Sequence, residues 1–142
     1  MAAKDYESVI EMMRVFYSSS AVATNGSEEI FRNDIDNCIG DCPYLEGYVF
    51  LYDNSVAGYA MLAKSFSTEY GKPCIWIEDI YIKPEFRGMG IGTEFFADIE
   101  RKYPNCLLRL EVEKYNQSAI KFYKKSGYEF LPYSEMKKDL KP

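Results

Sequence analysis

The run Cys74-Ile75-Trp76-Ile77-Glu78-Asp79-Ile80-Tyr81-Ile82 reads as a strand, and Lys83-Pro84 stops it. A glycine-rich stretch, Arg87-Gly88-Met89-Gly90-Ile91-Gly92-Thr93, follows directly. Behind it a helix runs from about Gly90 to Lys102, with Ile91, Phe95, Phe96 and Ile99 on its apolar stripe, until Pro104-Asn105 breaks it. A strand, a tight turn and a helix in that order commit the chain to a sheet with helices packed on it. Strands covered on both faces are normally apolar throughout, so Glu78 and Asp79 in the middle of this one stand out.

The flanking segments agree with such a sheet. Residues 4–19 repeat Tyr6, Val9, Ile10, Met13, Phe16 and Tyr17 at helical spacing. A second helix over 27–39 starts on Ser27 as cap, carries Ile30, Phe31, Ile35, Cys38 and Ile39, and ends at Gly40 and Pro43. The β-rich runs 47–52 and 56–62, joined through Asp53-Asn54-Ser55, predict a hairpin. After the glycine-rich unit come a strand over 106–112, a helix over 117–126 with Gly127 as its C-cap, and a terminal β segment or hairpin from Tyr128 to Leu140. With no repeat, linker or low-complexity stretch, residues 1–142 are expected to form one α/β domain with a mixed sheet.

Composition narrows the chemistry. The 142 residues include no histidine, which excludes Ser-His-Asp and Cys-His mechanisms and His-liganded zinc or iron. Proton transfer is left to carboxylates, tyrosines, lysines, thiols or water. Cys38, Cys42, Cys74 and Cys106 have no paired CxxC spacing, so free thiols in a reducing cytoplasm are expected and no metal site is. The N-terminal segment has no apolar h-region, and no run is long enough to span a bilayer; neither a signal peptide nor a membrane partner is expected. A net charge of −5 argues against nucleic acid as a partner. Residues 1–71 hold 4 Lys/Arg against 11 Asp/Glu, and residues 72–142 hold 13 against 11. Such asymmetry suits an anionic ligand on the second half and a cationic one nearer the first.

A glycine-rich turn opening a helix offers unpaired N–H groups and the positive end of the helix dipole, so Arg87 to Thr93 form an anion cradle that fits a diphosphate. The stretch is neither a GxGxxG fingerprint, since position 93 is Thr, nor a GxxxxGK[ST] loop. The stretch from Ile80 to Gly92, a strand closing on Lys83-Pro84 and then Arg87-Gly88-Met89-Gly90-Ile91-Gly92, resembles the acetyl-CoA-binding motif of the GNAT superfamily of N-acetyltransferases. Asn116-Gln117-Ser118-Ala119-Ile120-Lys121-Phe122-Tyr123, continuing to Gly127-Tyr128, matches a second pattern of that family. The resemblance is close over 74–131 and extends to the diamine and polyamine branch through Ile77-Glu78-Asp79.

The resemblance implies a central, mostly antiparallel sheet, splayed between the strands at 74–82 and 106–112 and flanked by helices. It implies acetyl-CoA as co-substrate, with the pantetheine arm in the splay against Ile80, Tyr81 and Ile82 and the diphosphate on Arg87, Gly88, Met89, Gly90, Ile91, Gly92 and Thr93. Asn116 and Ala119 would lie along the cofactor arm, and Tyr123 would protonate the departing thiolate. The acceptor expected is a small-molecule amine, and the family leaves room for a homodimer.

An alkylammonium of pKa about 10.4 is nucleophilic in only roughly 1 molecule in 2,500 at neutral pH, so a carboxylate must take its proton. Strand alternation puts Glu78, Ile80 and Ile82 on one face and Asp79 and Tyr81 on the other, which makes Glu78 the first candidate for the base. Asp79, and Glu111 on the facing strand, are candidate acceptor anchors. Protein N-acetylation, aminoglycoside modification and a non-catalytic acyl-CoA-binding module remain the alternative readings.

Overall fold

In the computed structural model, which describes residues Met1–Pro142, the sheet starts from one tight turn. Asp53 and Asn54 both take positive φ, 48° and 63°, the handedness that matches the twist of two antiparallel strands. The turn joins β1 (Leu45–Tyr52) to β2 (Ser55–Ser67), and β2 pairs antiparallel with β3 (Lys72–Ile82). β4 (Leu107–Leu110) adds parallel to β3, so the four strands stand in the order 1-2-3-4. This is the expected mixed and mostly antiparallel sheet.

Two irregularities in β3 coincide. Its ladder with β4 covers only Cys74–Ile77 opposite Leu107–Leu110. Its ladder with β2 slips at the same place, because Leu62 faces Ile77 while the preceding Met61 faces Asp79. Glu78 is therefore a bulge residue, and beyond it β3 continues to Ile82 without β4. Simple alternation would put Ile77 and Ile80 on opposite faces; the extra residue puts both in the same apolar cluster.

Each face of the sheet carries a pair of helices. On one face α1 (Tyr6–Tyr17) and α2 (Glu28–Ile39) bury Val9, Ile10, Met13, Phe16, Phe31 and Ile35 against Tyr59, Met61 and Tyr81. Ser27 caps α2, accepting from the Ile30 amide at 3.2 Å. On the other face α3 (Ile91–Lys102) sets Phe95, Phe96 and Ile99 on Ala60, Leu62, Ile75 and Ile77, with Phe122 and Tyr123 of α4 (Gln117–Lys125) alongside. At about 1.5–3 kcal/mol for each large side chain removed from water, these two layers hold the sheet. No helix is long and apolar enough to cross a membrane.

The terminal β segment expected over 128–140 is corrected by the structure: the chain after Lys125 forms no strand. Pro132 lacks the N–H that a ladder needs. Glu135 meets Glu111 through a side-chain hydrogen bond between carboxyl groups, not through a backbone ladder.

On the far edge of the sheet Glu46 receives Lys102, Tyr103, Tyr48 and Lys64, which ties β1 to β2 and α3. Burial raises the Glu46 pKa, but those hydrogen bonds outweigh it and pull it down to about 2. Because the folded value lies below the unfolded one, this stabilisation is complete above about pH 4.5 and fades as pH falls toward 2. Glu46→Gln should cost about 1 kcal/mol at pH 7, with partial exposure limiting the effect. In urea melts the gap between parent and variant should close between pH 4.5 and 2; a gap independent of pH would refute the ionic origin.

Candidate active site

Where β3 and β4 part, a cleft of about 1620 Å³ opens between them. Ile77 to Ile82 form one side of it, Leu110 to Glu113 the other, and the N-terminus of α3 and the inner face of α4 close one end. The end of α1 and the segment after it, from Val15 to Thr24, close the opposite end.

The α3 end is electropositive by backbone alone. Gly88 and Gly90 take φ of +77° and +83°, conformations that cost any other residue about 1–2 kcal/mol. No side chain caps α3, and its first internal bond is Glu94 N–H to Gly90 C=O at 3.0 Å. The N–H groups of Ile91, Gly92 and Thr93 thus face the cleft without an acceptor in the chain. An added Cβ at Gly90 would meet nothing within 4 Å, so the glycines leave room for a ligand rather than for protein. This fits the diphosphate expected there. Gly92 differs: its Cβ would lie 3.3 Å from the Phe122 ring, so its smallness lets α3 pack against α4. Met89 turns outward at 48% exposure and does not line the cleft.

Along β3, the Lys83 amide bonds back to Ala57 of β2 at 2.8 Å. In an antiparallel ladder alternate residues pair with the same neighbour, so Ile82 and Ile80 aim their main-chain groups at the cleft. The Ile82 carbonyl accepts from Arg87 Nε at 2.9 Å, which also places the guanidinium 5.8 Å from the Tyr81 ring centre. Ile80 keeps its main-chain groups for a ligand. Tyr81 lines the cleft and turns its ring to Phe16 and Tyr59, with its carbonyl beside Gly58.

From α4, Tyr123 lines the cleft with its ring against Phe96, Phe122 and Tyr128. Burial raises its pKa, which keeps the phenol protonated through the neutral range. Asn116 accepts from the Ala119 amide at 3.3 Å as the cap of α4, so its carbonyl oxygen is occupied and its side-chain NH₂ remains for the cofactor arm.

Carboxylates gather at the fork. Glu78 reaches solvent through the cleft, and partial burial, then Asp79 and Glu135, raise its pKa. Glu111 is pushed up to about 7 by hydrogen bonding with Glu135, by burial, and by the charges of Glu135 and Glu78. Asp34 of α2 rises to about 6 through burial and the charges of Asp79 and Glu78. Asp79, expected to hold the acceptor, is 4% exposed. Its two oxygens accept from Tyr17 and Tyr59 hydroxyls, each at 2.8 Å.

Sequence reasoning missed Tyr17, Tyr59, Asp34, Glu135 and the 18–27 wall. Their partners lie far along the chain, and only the fold brings them together. No group of three or more Cys, Asp or Glu side chains is arranged to hold a metal ion.

A family model described as acetyltransferase (GNAT) family matches residues 7–128. Among curated relatives, thialysine N-epsilon-acetyltransferase of Bos taurus is 39% identical over 83 residues, 56% of this chain and 48% of its own. The chain thus spans about half the length of that relative. The Caenorhabditis elegans protein of the same name is 28% identical over 131 residues, covering 90% of this chain and 78% of its own. Among solved structures, a possible acetyltransferase from Clostridium difficile 630 superposes with a TM-score of 0.81 at 18% identity, over 98% of this chain and 93% of the other.

Gly90→Ala introduces strain alone, whereas Gly90→Glu adds a negative charge to the anion cradle. Calorimetry should show CoA binding weakened several-fold by Ala and abolished by Glu while both variants stay folded. Equal affinity for the two would remove the diphosphate from this loop.

Proposed function

We propose, from the premise that this chain belongs to the GNAT acetyltransferase family and is an N-acetyltransferase, that acetyl-CoA is its donor and a small cationic primary amine its acceptor. The observation that carries this reading is the polarity of one cleft, with unpaired N–H groups of α3 at one end and Glu78 and Glu111 at the fork. An anionic donor and a cationic acceptor are drawn to opposite ends and meet at the fork. The name of the bovine relative specifies an ε-amine, and we carry that over as the class of acceptor.

The residues divide the chemistry. Glu78, directly or through a water, takes a proton from the ammonium, and the freed lone pair attacks the thioester carbonyl. As the new C–N bond forms and the C–S bond breaks, Tyr123 O–H supplies the proton that the leaving sulfur needs; the nitrogen then sheds its second proton to solvent, solvent reprotonates the phenol, and Glu78 gives its proton back to water, one proton being released overall. Ile80 main-chain groups align the donor as an added strand would. Transfer is direct, within a ternary complex.

A carboxylate base works only when ionised, and partial burial lifts Glu78 above the ordinary carboxylate range. The acidic limb of kcat/KM for the amine should therefore lie above pH 4.5. Glu78→Gln should remove that limb and lower kcat/KM about 10²-fold at neutral pH, with CoA affinity retained. An unaltered limb would move the base elsewhere.

Tyr123→Phe keeps the ring and deletes the donor. Its kcat should fall about 10²-fold with little change in the KM for acetyl-CoA. Parental turnover in a regime limited by chemistry would reduce Tyr123 to packing.

Attraction separates from proton removal through salt. For a diamine, kcat/KM should fall with ionic strength more steeply than for a neutral-tailed monoamine, since charges are screened within about 8 Å at 0.15 M. Equal slopes would remove the polycation preference.

A further inference from the structure

We propose that Asp79 is a positioning residue: its buried carboxyl group, bonded by the hydroxyls of Tyr17 and Tyr59, fixes the segment 18–27, whose residues 19–24 wall the cleft, and sets its charge beside Glu78. The inference rests on Glu78 being the base only for its second half.

The geometry excludes a free anchoring role. Asp79 is 4% exposed, with one tyrosine hydroxyl at 2.8 Å on each oxygen. Two O–H donors, one on each oxygen, favour the ionised form of the acid and tie it to both neighbours. Burial raises the pKa of Asp79 and these hydrogen bonds oppose the rise. The hydroxyls shift in the same direction, as burial first and then the Asp79 charge raise the pKa of Tyr59 and of Tyr17 and keep both protonated as donors.

Tyr59 belongs to β2 and is fully buried, so it fixes Asp79 from the sheet. Tyr17 is the last residue of α1, and the chain that leaves it lines the cleft through Ser19, Ser20 and Thr24. The returning end of that segment is held by the same ring system. Tyr17 packs 5.2 Å from Phe31, and Gly26 approaches Phe31 so closely that an added Cβ would fall 2.4 Å from the ring. A charge-assisted hydrogen bond from Tyr17 to Asp79 thus joins the wall to the strand that bears Glu78.

The second consequence is electrostatic. The titratable groups facing Glu78 are Asp79 on its own strand, Glu111 past the end of β4, Glu135 in the C-terminal segment, Asp34 on α2 and Tyr17 on α1. Of these, Asp79 is the carboxylate that accepts two tyrosine hydroxyls, which favour its ionised form against burial. Its charge disfavours an ionised Glu78, which makes Glu78 a stronger base at the pH where an ammonium must lose a proton.

Three measurements on the full chain decide the matter. Amide hydrogen exchange over 18–27 should quicken about tenfold in both Asp79→Asn and Tyr17→Phe, the loss expected for one hydrogen bond to a charged group. Exchange unchanged in both overturns the positioning role, whatever the enzyme acetylates. In turnover, both variants should raise the amine KM about tenfold with the KM for acetyl-CoA unchanged, and Asp79→Asn alone should shift the acidic limb down by about 0.5 unit. A limb that stays in place refutes the electrostatic half, and a KM increase confined to diamines makes Asp79 a direct anchor instead. Should Asp79→Asn fail to fold, Tyr17→Phe carries the exchange and KM arms and decides the wall on its own. A limb that survives Glu78→Gln removes the base assignment, leaving the exchange result to judge Asp79.

Discussion

The structure turns on the parting of β3 from β4 after Ile77 and Leu110. Up to that point β3 is paired on both sides, with β2 and with β4. Past it, β3 continues for several residues with one side open, a situation that ordinary sheets avoid because unpaired N–H and C=O groups recruit partners. Here the open edge is the site. The bulge at Glu78 marks where the pairing changes and returns the apolar residues Ile80 and Ile82 to the face that α3 covers. One extra residue thus keeps the core intact while it frees an edge for a ligand and places a carboxylate at the fork.

The helices serve the same edge from both faces. α3 brings three unpaired amides to it, and its close contact with α4 at Gly92 sets the separation that leaves Tyr123 beside the cleft. α1 ends in Tyr17 on the opposite face, where Asp79 receives it. Neighbouring positions of β3 therefore have separate tasks: Glu78 meets solvent in the cleft and Asp79 is sealed in the core. From sequence the two looked like a pair of similar anchors, and burial alone distinguishes them.

That distinction shows how far the sequence could be read. The helices, the hairpin and the β3-turn-α3 unit follow from local periods and caps such as Ser27, because the forces that form them act within a few residues. The anion cradle is legible for the same reason, since glycines and a helix start are local facts. The Tyr17–Asp79 bond spans 62 positions and leaves no local trace. The C-terminal segment misleads because its alternation resembles a strand, while the N–H that Pro132 lacks is missed only where the segment would pair. Likewise the bulge at Glu78 arises from registering β3 on β2, a property of two strands together.

Setting Glu78 and Glu111 in the cleft with Glu135 and Asp34 close behind them carries an electrostatic cost. Glu111 near 7 and Asp34 near 6 express that cost as protons retained at pH values where isolated carboxylates are ionised. By linkage, any cation that settles among them favours their ionised forms, so its binding releases protons and tightens as pH rises through this range. The same load weighs against an anionic acceptor, which would add to the repulsion and lose to solvent. The acidic fork is thus a selection device acting before any chemistry. It sits across the cleft from a cradle built of uncharged backbone, so an anionic donor and a cationic acceptor, as proposed, would be sorted by opposite signs of one field.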